Sequence, residues 1–377
     1  MKRKNLRWCL GTAVAPLLSA ALIASVWTAA AAGTKTAVLQ DETGLIAVGL
    51  GSGHRNFDIW LVDPTGRRVR RLTKDAGIDV MPTWSPDGSR IAYLRRFDDE
   101  SGNLEGTAGS LGAIDFGPVG HFRNNGGELC LVNTDGTGGR VLVKSFAAAA
   151  PSWSPDGQRI VFARPNKGIY VVAADGAGLH RLASGPDDYP AWSPDGKRIA
   201  FTTDSGLWIM DADGSHKRRL TVDSNWDDLG PAWSPGGDLI AFTRFTDSGR
   251  DVRVIAPDGT GGRRLAHSTG AVIDPNVAID VAPAWSPDGT RVAFDVASRS
   301  GVSSIGMVGG DGSGLQVYRH THDGDFHPSW SPDGKALVVT SWLAKGEGVG
   351  LLLLSTVGPP RIVIRGYNTT PAWRPTP

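Results

Sequence analysis

Two groups of residues in this chain have the types and spacing to do chemistry. The first is a carboxylate series: Asp79, Asp187, Asp228, Asp280 and Asp325 each stand three residues before a proline of one recurring motif. Asn368 takes the place in the last copy, and Ala148 breaks the series. If each Asp opens an innermost strand, the side chains ring one mouth of a central channel. Such a ring would attract a cation or a basic peptide segment. The competing reading is that each Asp accepts hydrogen bonds from its own loop and holds a turn, and repetition in nearly every unit favours that structural role. The second group is His320, His322, Asp323, Asp325 and His327. Imidazole and carboxylate ligands suit a transition metal, but alternation of His320 and His322 along a strand suits strand-end packing equally. Asp79, Asp187, Asp228, Asp280, Asp325 and His327 are the ligand-binding candidates, and His320 and His322 are weak metal candidates. No catalytic residue is assigned. The only cofactor the pattern admits is a divalent cation.

The motif that places these residues reads Pro82-Thr83-Trp84-Ser85-Pro86-Asp87-Gly88. It returns at Pro151, Pro190, Pro231, Pro283 and Pro328, and a truncated copy ends the chain as Pro371-Ala372-Trp373-Arg374-Pro375. The Trp spacings of 69, 39, 41, 52, 45 and 43 residues contain the length of one four-stranded propeller blade. Ser-Pro-Asp-Gly fits a tight turn, because Pro presets φ and Gly accepts φ > 0. Trp offers an apolar face to a neighbouring unit and an N–H to a backbone carbonyl. The Pro two residues before Trp is expected at a strand start, where no ladder donor is needed. A strand pattern follows each motif, as in Arg159-Ile160-Val161-Phe162, and two more complete the unit.

The expected fold is therefore all-β: a seven-bladed propeller of four-stranded blades, with six blades as the alternative count. Its first blade opens at Gly44-Leu45-Ile46-Ala47-Val48 without its own Trp motif, and the orphan Pro371-Ala372-Trp373 strand completes it, leaving no open edge.

Lys2, Arg3, Lys4 and Arg7 precede an apolar run to about Trp27 and then Ala29-Ala30-Ala31-Ala32, which reads as a secretory signal over residues 1–32. Residues 33–42 form a short linker and 43–377 the propeller, with an insertion loop at 96–126. An uncleaved signal would be the only contact with a membrane. Of two Cys in the sequence, Cys9 leaves with the signal, so no internal disulfide remains, and Cys130 sits in a buried strand pattern. A formal net charge of +1 excludes neither export nor protein binding but gives no reason to expect a nucleic-acid partner. Gly 50 and Pro 24 suit many short strands and turns.

The Trp-Ser-Pro-Asp-Gly units resemble the TolB-type, WD40-like propeller repeats, over about residues 43–375. The resemblance implies the propeller fold. TolB carries an α/β domain before its propeller, and here strands begin about ten residues after the expected cleavage point. The same repeats precede the catalytic domain of prolyl oligopeptidase-like enzymes, but the chain has no G-x-S-x-G nucleophile motif. Propeller lyases acting on oligogalacturonate use a His-based manganese site, which is the precedent for the metal reading. The function expected is an exported, monomeric, non-enzymatic binding or scaffold propeller in the periplasm or outside the cell, with a protein or envelope polymer as partner. The alternatives are a metal-assisted polysaccharide lyase or hydrolase, and an accessory subunit of a separate enzyme. Fold alone does not choose between them.

Overall fold

A computed structural model describes residues 44–376 apart from 52–55, 76, 97–126, 147–148, 165–166, 204–205, 222–227, 269–282, 298–302, 319–323, 344–348, 356–357 and 369. The expected signal, the linker, most of the insertion loop, Asp280, His320 and His322 lie outside the described residues. All of the regular structure described is β-strand apart from isolated turns.

The strands sort by hydrogen bonding into successive antiparallel four-stranded groups. The second group is representative: Ile78–Trp84 pairs Arg90–Arg96, which pairs Gly127–Asn133, which pairs Arg140–Phe146. The following groups open with Ala149–Trp153, Asp188–Trp192, Asp228–Trp233, Ala284–Trp285 and Gly324–Trp330, each strand ending in the motif Trp. The first group is made from both ends of the chain. Ile46–Gly51 pairs Phe57–Val62 on one side and, on the other, the C-terminal Tyr367–Asn368 and Ala372–Trp373.

Burial patterns along the strands explain the core. In the second strands Arg159–Arg164 and Arg198–Thr203 the four central residues are all buried, as expected of strands covered on both faces by neighbouring groups. Phe57, Phe162, Phe201 and Phe242 are fully buried. The Trp at the end of each innermost strand fills the seam between groups. Trp84, Trp153, Trp233, Trp285 and Trp330 each donate the indole N–H to a main-chain carbonyl of the preceding innermost strand, at Ala372, Thr83, Ala191, Ala232 and Ala284, over 2.9–3.2 Å. At Trp192 and Trp373 the preceding strand offers a serine, whose Oγ accepts the Trp main-chain N–H instead (Ser152, 3.2 Å; Ser329, 3.1 Å). The indole N–H groups of these two Trp are buried and have no hydrogen-bond partner among the described residues.

The turn behaves as its chemistry requires. The Gly88 N–H donates to the Ser85 carbonyl, and Gly88 takes φ +65°. Ser85 Oγ donates to Asp87 and accepts from the Arg90 N–H. Slight burial opposes ionisation of Asp87, but the Ser85 hydroxyl and the Ser89 N–H and hydroxyl outweigh it and bring the carboxyl down to about 2.

The proline before the Trp is placed differently from expectation. Pro82 lies inside its strand, not at the start, because Ile78–Trp84 carries a bulge between Val80 and Thr83. The same bulge recurs at Asp188/Ala191, Leu229/Ala232 and Phe326/Ser329. A bulge leaves a ladder position unpaired, which is where a residue without an N–H is tolerated.

Candidate functional site

The innermost strands all run from the carboxylate position to the motif turn, so the chain has two distinct ends to examine. At the carboxylate end, Asp79, Asp187, Asp228 and Asp325 are buried, none more than 2% exposed. Arg95, the cross-strand neighbour of Asp79, grips it through Nε at 2.8 Å and Nη2 at 3.2 Å, and also bonds Tyr93 Oη at 3.0 Å. Burial pushes the Asp79 carboxyl up, against the pull of Arg95 and Thr73, while Arg95 itself is held firmly charged by Asp79. Arg244 grips Asp228 in the same fork, at 2.6 and 2.8 Å, and Thr221 Oγ1 donates to the same carboxylate. Asp187 pairs with Lys217 Nζ at 3.1 Å. Across from Asp325 stands Ser341, in the register position that Arg95 and Arg244 hold elsewhere. The contacts of Asp79, Asp187 and Asp228 tie these carboxylates into the fold.

The next residues of the bulge carry information that the sequence pattern did not reveal. Met81, Tyr189 and His327, each directly before the motif proline, adopt φ of +52° to +56°, and Gly230 adopts +60° at the equivalent place. Left-handed backbone at three non-glycine residues is a cost the fold accepts to re-aim this part of each innermost strand. His327 is thus part of the bulge device. Asp188, beside Tyr189, is neither exposed nor ion-paired: burial raises its carboxyl to about 7, opposed only by the N–H of Tyr189 at 2.8 Å.

A pH effect follows from Asp188. The folded chain holds this proton more tightly than the unfolded chain, whose Asp titrates near 3.8. Stability therefore falls as pH rises from about 4 to about 7 and is lowest above that window. Asp188→Asn is expected to remove this slope and to stabilise the chain at pH 8 by about 1–2 kcal/mol, a figure reduced for partial solvent access. Urea melts of both proteins at pH 5 and pH 8 test it. An equal pH 5 to pH 8 difference in the two would refute the assignment.

Cys130 is a buried free thiol, pushed by burial up to about 12, which makes it inert packing rather than a nucleophile. Among the described residues no three His, Cys, Asp or Glu side chains converge in a way that could hold a metal ion.

At the motif end lies a cavity of about 370 Å³ between three consecutive innermost strands. Its walls are Trp285, Trp330 and Trp373 with Pro287, Pro332 and Pro375, and Ser329, Arg374 and Thr376 supply the polar atoms. Arginines of the second strands reach across to the Trp of the next blade. Arg90 lies over Trp153 at 5.2 Å, Arg159 over Trp192 at 4.7 Å, Arg198 over Trp233 at 5.1 Å and Arg291 over Trp330 at 4.7 Å. Each stands four residues after its turn proline and bridges from one blade to the Trp of the next. Leu239 and Ala336 occupy that position in the other two motifs. The repeated arginine was visible in the sequence at each strand start, but its reach to the next blade was not.

Buried carboxylate–arginine forks, Trp-anchored seams and a Trp-lined mouth define a β-propeller of Trp-motif repeats. The chain belongs to the TolB beta propeller domain family, whose sequence model matches residues 121–269 and 205–376, more than half of the chain. A curated relative, the Tol-Pal system protein TolB of Nitratidesulfovibrio vulgaris, is 45% identical over 49 residues, which are 13% of this chain and 11% of that protein. The chain thus matches only a small part of that relative. Among solved structures, TolB from Acinetobacter baumannii superposes with TM-score 0.52 at 18% identity, covering 88% of this chain and 82% of that one. An oligogalacturonate lyase in complex with manganese superposes with TM-score 0.59 at 15% identity, covering 79% of this chain and 82% of that one. At these identities the two structures share the fold.

Proposed function

We propose that this chain is an extracytoplasmic binding propeller that recognises a protein partner through the motif end of its blades. The observation that carries this reading is the Trp- and Pro-walled cavity, open among three innermost strands, in a fold where the described carboxylates of the series are buried and Asp79, Asp187 and Asp228 are engaged internally. Aromatic and proline walls with polar atoms set among them are the kind of surface that buried anchors of a partner fill. Membership of the TolB propeller family supports the same class, since the matched relative is a protein of the Tol-Pal system. The basic and apolar N-terminal sequence supports export, with the periplasm or the exterior as destination.

The test is affinity capture from envelope extract with the mature chain as bait, followed by metal analysis of the purified protein. A defined protein that binds reproducibly and is competed off by unlabelled chain is expected. Stoichiometric manganese or zinc, together with turnover of a polysaccharide and no stable partner, would overturn the proposal in favour of a metal-assisted lyase or hydrolase.

A further inference from the structure

The outer strands of the fifth group carry basic charge in a place where other groups carry an aromatic ring. Elsewhere the third strand sets an aromatic residue directly opposite a fourth-strand arginine: Trp60 opposite Arg71, Tyr170 opposite Arg181 and Trp208 opposite Arg219. Each ring also has a cation over its face, Arg68 at 5.4 Å, Arg164 at 4.4 Å and Lys217 at 5.4 Å respectively. Tyr170 and Trp208 lie opposite a second-strand phenylalanine as well, Phe162 and Phe201. In the fifth group the residue opposite Phe242 is Arg253, and its fourth-strand partner is Arg264. Like charges directly opposite on paired strands repel. One carboxylate answers both: Asp251 is buried, accepts from Arg253 Nη1 at 3.2 Å and stands 3.8 Å from Arg264 Nη1. It also bonds His267 Nδ1 at 2.7 Å. Arg244, opposite Asp251 on the second strand, is committed to Asp228. Two arginines against one aspartate leave one positive charge in excess, and a protonated His267 would add a second.

These basic groups are open to solvent. The Arg264 side chain is 57% exposed, and those of Arg253 and His267 are 26% and 25% exposed. A carboxylate only accepts, so His267 Nδ1 is the donor to Asp251 and Nε2 is left for an outside group. We propose that Arg253, Arg264 and His267 bind a phosphoryl group at the outer edge of the fifth group. Guanidinium groups present paired N–H donors that match phosphate oxygens, and His267 Nε2 adds a donor when the ring is protonated. A dianion cancels the whole excess, whereas a chloride cancels one charge. Asp251 does not face the ligand as a free charge, because it is buried with Oδ1 on His267 and Oδ2 on Arg253. It holds those two side chains in place. None of the three basic residues lines the Trp-walled cavity, so this site is independent of partner binding there.

The probe is inorganic phosphate, titrated against chloride at matched ionic strength. The readout is the ring resonance of His267, assigned with His267→Gln. Phosphate is expected to shift that resonance saturably, and chloride to leave it in place. Arg264→Gln, at an exposed position, should weaken phosphate binding at least about fivefold. Arg253→Trp restores the aromatic–arginine pair of the other groups, so it should abolish saturation while the melting temperature stays unchanged. Arg68→Gln, at an exposed arginine of the first group, should leave phosphate affinity as it is. Vesicles of phosphatidylcholine with and without phosphatidic acid separate two sources of the phosphoryl group. Binding that needs both phosphatidic acid and Arg264 assigns a lipid headgroup, and phosphate binding without vesicle binding assigns a soluble ligand. Equal shifts with chloride and phosphate would overturn the inference. So would unchanged phosphate affinity in Arg264→Gln, or a loss in Arg68→Gln as large as that in Arg264→Gln.

Discussion

Arg244→Ala is expected to cost about 3–5 kcal/mol of stability, because it strands a carboxylate with no solvent exposure. Asp228 keeps only the Thr221 hydroxyl after the change, at 2.7 Å, against three hydrogen bonds before it. Desolvation is already complete in the folded chain, so the loss is that of the charge partner rather than of packing alone. The size of the effect separates the two readings of the carboxylate series. A residue held in reserve for a ligand tolerates loss of an internal partner, whereas a blade clamp does not. Urea denaturation of Arg244→Ala, Asp228→Ala and the double variant measures this. The double variant should cost far less than the two single changes added, since removing both groups leaves no buried charge unpaired. A single-variant cost under about 1 kcal/mol would show that the fork is a surface-like pair and would reopen Asp228 as a ligand group.

The carboxylate series also shows what could be read before any coordinates. Periodicity of the Trp motif located nearly every strand, because a blade is a local unit whose turn chemistry is written in consecutive residues. The partners of Asp79 and Asp228 are sixteen residues away in the next strand, and register decides whether a given Arg reaches them. That register depends on a bulge at the motif proline, where the residue pattern alone pointed to a strand start. The left-handed residues Met81, Tyr189 and His327 had no compositional mark, since none is Gly or Asn. His327, singled out as a candidate ligand, stands in that bulge with the same left-handed backbone. The cavity was illegible for a different reason. Its walls come from three innermost strands far apart in the sequence, and only the packing of neighbouring blades brings Trp285, Trp330 and Trp373 together.

The largest effect is expected from removing the C-terminal strands. Deleting residues 366–377 takes away the pairing of Tyr367–Asn368 and Ala372–Trp373 with Ile46–Gly51. It removes the Arg374 N–H donation to the Leu45 carbonyl at 2.8 Å and leaves the Trp84 indole without the Ala372 carbonyl. Trp373 packs in one cluster with Ile46, Val48 and Val338, so its loss opens a seam between the first and last blades. Loss of a buried Trp side chain alone costs about 3–5 kcal/mol, and the unpaired edge of Ile46–Gly51 adds a template for association with other chains. The truncated protein should therefore melt at a much lower temperature and run as dimers or larger species by light scattering. A synthetic peptide of residues 366–377 should restore both properties, because the strand is joined to the first blade by hydrogen bonds rather than by chain continuity. Arg361, which reaches the Pro64 carbonyl at 2.5 Å and lies outside the deletion, remains as a second tie between the same blades. If the truncated chain melted and ran like the full one, that outer tie would be sufficient, and the pairing of the two chain ends would not be what closes the first blade.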